Sequence, residues 1–317
     1  MTTGETAGTA SMATLRDGLR RLDRVVVAFS GGVDSGLVAW VANDVLGPER
    51  ALAVTAVSPS LPAAERDECA RLAREWGLRW VQVETDEMEH AAYARNDGDR
   101  CYWCKDALLR AVDPLVGVGG PEHGAVVVLG VNVDDLGDHR PGQRAAAERG
   151  AVFPLVEAGF RKSDVREWSQ RLGLRTWDKP AAACLASRLP YGTPVTLRRL
   201  AAVERAEDGL RALGFDELRV RHYGDLARIE VPTNRLGDAV ALADRVVAAA
   251  QAAGYRYVTL DLEGLRSGNL NGALAISPGP GPGLGAGPDR GSDRGPGPDR
   301  ASGPGRSSGP GRSSGST

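Results

Sequence analysis

Residues 25–29, Val-Val-Val-Ala-Phe, form an unbroken apolar run. Nothing in it alternates with polar residues, so the strand it predicts is buried on both faces, as in a parallel sheet. Apolar positions then recur at helical spacing over 36–46 and stop before Gly47-Pro48, a helix-ending signal. Further β-rich runs fall at 51–57, 79–83 and 125–130, and an amphipathic helix pattern over 62–76 is closed by Gly77. Strands separated by helices predict βαβ units, and so an α/β fold with a doubly wound parallel sheet over residues 14–190.

The pattern changes after Tyr191-Gly192-Thr193-Pro194. A helix pattern covers 197–213 and ends at Gly214. Two strands, 217–223 and 226–231, meet at a tight turn, Gly224-Asp225. A helix over 236–253 and a strand over 255–262 complete a smaller α+β domain, expected over 195–277 and suited to substrate binding or oligomerisation. From Pro278 the last 40 residues are almost wholly Gly, Pro, Ser, Arg and Asp. Such a stretch has too little apolar surface to offset its chain entropy, and 278–317 is expected to be a disordered tail. No internal repeat is visible.

Composition narrows the function. Of 317 residues, 42% are hydrophobic, enough for a packed core, and the net charge is −2. The tail holds five Arg and three Asp, which leaves −4 for the rest. Bulk nucleic-acid binding needs a basic excess that is missing here. No run reaches the roughly 18 apolar residues of a membrane helix, and no apolar signal core follows the Thr/Gly/Ala-rich start. The expected location is the cytoplasm. In a reducing cytosol the four cysteines, Cys69, Cys101, Cys104 and Cys184, read first as metal-binding, catalytic or buried thiols.

Ser30-Gly31-Gly32-Val33-Asp34-Ser35 follows the first strand and opens the first strongly periodic helix. Gly31 and Gly32 allow the backbone to approach phosphates closely. The helix N-terminus supplies positive potential to an anion, and Ser30 and Ser35 add hydroxyl donors. Asp34 would repel a phosphate, so its natural role is to hold Mg²⁺ against one. Asn132-Val133-Asp134-Asp135 follows the strand at 125–130, at the carboxyl edge where such sheets bind ligands. Asp134 and Asp135 are candidates for metal or substrate binding, or for a polar Asx turn.

Arg100-Cys101-Tyr102-Trp103-Cys104-Lys105 carries a Cys-x-x-Cys pair between two cations, which favour thiolates. Two thiolates at this spacing suit a shared metal, structural zinc, or a redox pair. Cys184 lies in a small-residue stretch flanked by Lys179 and Arg188, as in a loop that approaches an anion. Cys69 falls on the apolar side of helix 62–76 and reads as an inert buried thiol. Arg219 and Arg221 share one face of a predicted strand and suit a phosphate or carboxylate as bidentate donors, or a solvated edge.

The loop resembles that of the PP-loop ATP pyrophosphatase superfamily, which includes NAD synthetase, GMP synthetase, asparagine synthetase and several tRNA thiolation enzymes. It lacks the Gly-Lys-Ser/Thr ending of a Walker A motif. Over residues 14–265 the chain further resembles the LarE-type ATP-dependent sulfur transferases. The carriers are the loop, the Arg100–Lys105 block and Asn132-Val133-Asp134-Asp135-Leu136-Gly137-Asp138-His139-Arg140-Pro141-Gly142. They continue with Thr176-Trp177-Asp178-Lys179-Pro180, Cys184-Leu185-Ala186-Ser187-Arg188-Leu189-Pro190-Tyr191-Gly192-Thr193 and Arg219-Val220-Arg221-His222-Tyr223-Gly224-Asp225-Leu226-Ala227-Arg228.

That resemblance implies an enzyme acting on a nicotinate-derived dicarboxylate mononucleotide. ATP and Mg²⁺ adenylate a carboxylate, sulfur displaces AMP, and a thiocarboxylate results, in biosynthesis of the nickel-pincer nucleotide of lactate racemase. In one branch the sulfur comes from a cysteine of the protein, left as dehydroalanine. In another, three cysteines hold a 4Fe–4S cluster whose open iron carries a sulfide. Cys101, Cys104 and Cys184 favour the cluster branch; sacrificial donation from Cys184 is the alternative. The implied residues are Cys184, Asp34 and Lys105 for catalysis. For ligand binding they are Ser30, Gly31, Gly32, Asp34, Ser35, Asp135, Arg188, Glu207, Arg219 and Arg221. Trp103 and Trp177 suit cluster shielding or, more blandly, core packing. The implied partners are the nucleotide substrate, further copies of the chain, and a sulfide donor or nickel-inserting protein, with neither membrane nor nucleic acid. A tRNA thiolation enzyme would share the loop and cysteines but should carry a basic surface. A nucleotide-sensing scaffold with structural zinc would not need so intact a loop. An amide synthetase would need an ammonia source and would leave three cysteines unexplained.

Overall fold

The structure is a computed structural model that describes residues 10–137, 141–180 and 183–266. The tail expected over 278–317, the motif residues Asp138, His139 and Arg140, and Ala181-Ala182 lie outside the described residues. All described residues fall within one compact unit, Met1–Ile276.

The first half alternates as the sequence pattern predicts. Helix α1 (Met12–Leu22) precedes β1 (Val25–Ala28), α2 (Val33–Leu46), β2 (Ala51–Val57), α3 (Ala63–Glu75) and β3 (Arg79–Glu84). After them come α4 (Ala91–Ala94), α5 (Arg100–Val116), β4 (Val126–Leu129), α6 (Pro141–Glu148), α7 (Pro154–Glu157) and α8 (Lys162–Arg171). The four strands form one parallel sheet in the order β3-β2-β1-β4. Val25 and Val27 point to a core with α1, α2 and α8; Val26 points to the other face, against Leu108 and Val112 of α5. That two-sided burial is why the run never alternates. Because β1 sits between β2 and β4, the chain leaves its carboxyl end at a topological switch point, where crevices form in such sheets.

Helices α1, α5, α6 and α8 were not read from the sequence. Helix α1 buries Met12, Leu15 and Leu19 and is capped by Ser11, whose hydroxyl accepts the Thr14 N–H at 3.2 Å. The expected Cys-x-x-Cys block is therefore the first turn of a 17-residue helix, α5.

The second half contains α9 (Leu197–Arg211), β5 (Arg219–Tyr223), β6 (Leu226–Glu230), α10 (Leu236–Ala241), α11 (Ala243–Ala252) and β7 (Tyr257–Leu260). Strands β5 and β6 make the expected hairpin, with Gly224 at φ +65° in its two-residue turn, and β7 joins β6 in parallel. Ala206, Leu210, Val220, Ile229, Val246 and Ala250 bury one face of this sheet against α9 and α11. The helix expected over 236–253 is broken at Leu242, which adopts φ −102°, ψ 21° between α10 and α11.

Candidate active site

Three loops meet at the carboxyl edge of the parallel sheet: 29–32 after β1, 58–62 after β2 and 130–135 after β4. The first is the predicted phosphate loop. Gly31 adopts φ +67°, and a Cβ there would stand 3.0 Å from Cys69 Sγ. Both the backbone and the space below it demand glycine. Gly32 caps α2 without a side-chain bond, leaving the N–H groups of the first turn to face a ligand. Ser35 Oγ accepts the Ser30 N–H at 3.2 Å and lies 3.1 Å from Ser30 Oγ, so the hydroxyls close the loop on itself. Strand β4 presses against this turn: a Cβ at Gly130 would come within 2.5 Å of Ser35 N.

Asp34 accepts a bond from Asn132 Nδ2 at 3.1 Å and an ion pair from Lys162. Lys162 was missed in the sequence, though a signal existed. It is the first residue of α8, where a cation opposes the helix dipole and needs an anionic partner. Asp134 receives Arg161 Nη1 at 2.8 Å and the Lys162 N–H at 2.9 Å, while Asp135 accepts the Asn132 N–H at 3.1 Å. Lys179 donates to Gly31 O at 3.1 Å and to Glu65 at 2.7 Å. Two lysines distant in sequence thus rest on a loop that has none of its own.

The cysteines gather beside this edge. The Leu185 N–H donates to Ser60 O, after β2, at 2.8 Å, which draws Cys184 to the sheet. Cys184, Cys104 and Trp103 pack against one apolar core with Tyr93, Leu189 and Val203. Burial, then the charge of Cys184, pushes the Cys104 thiol up to about 12. Lys105 acts the other way on that thiol. Cys101 is exposed, and α6 crosses above it: a Cβ at Gly142 would lie 3.0 Å from Cys101 O. Trp103 stacks on His90 with centroids 5.8 Å apart, while Trp177 is partly exposed. All four cysteines are free, and burial raises Cys69 to about 11, as suits an inert thiol. Among the described residues, no three or more His, Cys, Asp or Glu stand at the spacing of a metal-ion site.

The expected anion ligands have internal partners. Arg188, buried, forks onto Glu207 at 2.8 and 3.1 Å, and its remaining nitrogen donates to Ala183 O at 2.7 Å, Cys184 O at 3.3 Å and Ser187 Oγ at 3.1 Å. Glu207 also receives Arg211 at 3.0 Å and the Val220 N–H at 3.1 Å. Arg221 forks onto Glu230, both bonds 3.0 Å, and donates to Ser187 O at 2.8 Å. Arg219 has no carboxylate partner among the described residues; it donates to Arg266 O at 2.9 Å. Its pKa is lowered by burial first and then by the Arg221 and Arg188 charges.

Residues 11–101 match the family model described as NAD synthase. An uncharacterised protein of Synechocystis sp. is 46% identical over 267 residues, covering 84% of this chain and 98% of that protein. The pyridinium-3,5-bisthiocarboxylic acid mononucleotide synthase of Lactiplantibacillus plantarum is 42% identical over 262 residues, 83% of this chain and 94% of that enzyme. An uncharacterised protein of Methanocaldococcus jannaschii is 25% identical over 244 residues, 77% of this chain and 91% of that protein.

Proposed function

Because the chain belongs to the LarE-type sulfur transferases of the PP-loop ATP pyrophosphatase family, we propose that it converts a carboxylate of a pyridinium-3,5-dicarboxylate mononucleotide into a thiocarboxylate. Like its family, it is an ATP-dependent enzyme that transfers sulfur. The observation that carries the reading is the shared edge. Lys179 bonds the phosphate loop at Gly31 O, and Leu185 bonds the loop after β2 at Ser60 O. The covalent reach from Lys179 to Cys184 is at most about 18 Å, which supports activation and sulfur delivery along one sheet edge.

The chemistry balances in two steps. A substrate carboxylate oxygen attacks the α-phosphorus of ATP; the bond to the bridging oxygen breaks, and pyrophosphate leaves with the electron pair. The loop N–H groups, Ser30, Ser35, Lys162 and Lys179 neutralise the phosphates. A sulfur nucleophile then attacks the acyl carbon, the carbon–oxygen bond to AMP breaks, and AMP leaves. Asp34, in the first turn of α2, and Asp135, in the turn after β4, would hold Mg²⁺ through hard carboxylate oxygens, and the ion would supply positive charge to the phosphates. Arg219, on the cysteine side, suits the substrate phosphate; Arg188, Arg221 and Glu207 support it from their pairs.

Cys101, Cys104 and Cys184 suit a 4Fe–4S cluster. Cys104 and Cys184 share one apolar wall, Cys101 stands exposed one helical turn before Cys104 on α5, and three thiolate ligands would leave an iron open for a sulfide. Bound there, the cluster would supply sulfur without consuming the protein. Anaerobic reconstitution followed by iron and sulfide quantification tests this: four of each per chain is expected, lost in Cys101→Ala. An iron-free protein whose mass falls by one H₂S per turnover would instead assign the sulfur to Cys184 itself, its Cβ–S bond broken to leave dehydroalanine. Absence of substrate-dependent AMP formation would overturn the whole reading.

A further inference from the structure

We propose that Asn96 and Arg100 are a positioning pair that sets where Cys184 stands relative to Cys101 and Cys104. The proposal rests on the reading that the three cysteines act together.

Asn96 lies between α4 and α5, is fully buried and adopts φ +57°. Among the described non-glycine residues only Asp23 shares a positive φ, and Asp23 sits at an exposed helix end. A left-handed residue persists where its surroundings over-determine it, and such positions concentrate at functional sites.

What surrounds Asn96 is one loop. Its Nδ2 donates to Leu189 O at 3.3 Å, Pro190 O at 2.8 Å and Thr193 O at 2.9 Å. Its backbone oxygen accepts the Gly192 N–H at 2.9 Å. Its Oδ1 accepts Arg100 Nη1 at 2.6 Å. That same nitrogen donates to Ala186 O at 2.9 Å, and the guanidinium lies 5.8 Å from the Tyr191 ring centroid.

Sequence neighbours make this a ruler. Arg100 directly precedes Cys101 and opens α5, and Ala186 is two residues past Cys184. The path Cys101–Arg100–Ala186–Cys184 crosses a single hydrogen bond. Asn96 holds Arg100 from one side and the far end of the Cys184 loop from the other. Plain backbone satisfaction would need any buried donor; here both arms meet the two cysteine-bearing segments and nothing else.

Three substitutions separate the arms. Asn96→Asp keeps an oxygen for Arg100 but turns the amide donor into an oxygen facing three carbonyls. Asn96→Gly keeps the backbone conformation and deletes both arms. Arg100→Lys keeps the charge but replaces the guanidinium, whose Nη1 serves both Asn96 and Ala186, with a shorter side chain. Reduced, metal-free full-length protein is treated with dibromobimane, a short thiol-bridging reagent, and peptides bridging Cys184 to Cys101 or Cys104 are counted by mass spectrometry. Monobromobimane adducts give the reactivity of each thiol alone, and circular dichroism reports folding.

The wild type should bridge. Folded variants should lose at least fivefold in bridged product relative to single adducts. A wild type that does not bridge overturns the proposal, as do folded variants that bridge like wild type. Arg100→Lys, the mildest change, decides the matter if the Asn96 variants do not fold. Iron content is read on separate samples, so a protein that binds no iron removes the cluster reading while the bridging ratio still judges the pair.

Discussion

The phosphate loop and the cysteine loop sit on the same sheet edge and are built by opposite means. The first is backbone work: a left-handed Gly31, a bare cap at Gly32 and two hydroxyls from within the motif. The second, 183–193, is held by side chains, one its own and the others distant. Arg188 takes the carbonyls of Ala183 and Cys184, Arg100 that of Ala186, Arg221 that of Ser187, and Asn96 those of Leu189, Pro190 and Thr193. A site made of backbone is local and fails locally. A site made of buried charged ties depends on three separate elements and fails from far away.

The sharpest break is at the donor. Cys184→Ala should remove thiocarboxylate formation below detection while substrate-dependent pyrophosphate release continues; pyrophosphate-release and product assays on one sample read both halves. Next comes a remote break of the cysteine loop. Glu207→Ala leaves Arg188 buried without its carboxylate, a loss of about 3–5 kcal/mol, or of order ten degrees in melting temperature for a chain this size. Differential scanning calorimetry checks it, and Arg188→Met in the same background should recover part of the loss.

A local break of the phosphate loop is smaller in stability and larger in specificity. Gly31→Ala meets a left-handed cost of about 1–2 kcal/mol and the Cys69 sulfur below. ATP-dependent pyrophosphate release should fall at least about tenfold, with thiol-bridging of the cysteines unchanged. If bridging changes too, the two loops are not independent.

Titration gives a gentler test. Burial raises Cys69 to about 11 and Cys104 to about 12, whereas unfolded thiols ionise near 8.5. A raised acid pKa stabilises the fold fully below the unfolded value and progressively less above it. Metal-free protein should therefore hold constant stability from pH 7 to 8 and lose it from about 8.5 toward 11–12, as read by guanidinium melts. The smallest effect is the control: Glu167→Ala cuts an exposed pair with Arg171 on α8 and should move stability by under about 0.5 kcal/mol.

The same contrast explains what could be read from the chain. The strand–loop–helix unit around Ser30–Ser35 was legible because its signals are adjacent letters whose chemistry is their own backbone. Strands β1 and β4 were legible from unbroken apolar runs, and β2 and β3 from β-rich runs interrupted by Thr55 and Gln82. Helix α5 was not, because its first turn is the Cys-x-x-Cys block and Pro114, a helix breaker in sequence, lies within it beyond Ala107, Leu108 and Val112. Lys162 left a trace, a cation against a helix dipole, but its partner Asp34 is 128 positions away. Asn96 left none: nothing in Arg95-Asn96-Asp97 announces a buried residue that holds carbonyls 93 to 97 positions later. Arg188, Arg221 and Glu207 were legible as charged residues near the site, but their mutual pairing belongs to the tertiary fold.

The tethered carbonyls of the cysteine loop have a thermodynamic consequence. Fixing a backbone residue costs about 1–2 kcal/mol in conformational entropy, so eleven residues, 183–193, represent on the order of 10–20 kcal/mol of ordering. That cost is met once, during folding, by buried ion pairs that the substrate never has to form. When an acyl adenylate arrives, the sulfur-bearing segment need not be immobilised again, and the binding energy of the nucleotide is left for aligning the carbonyl carbon.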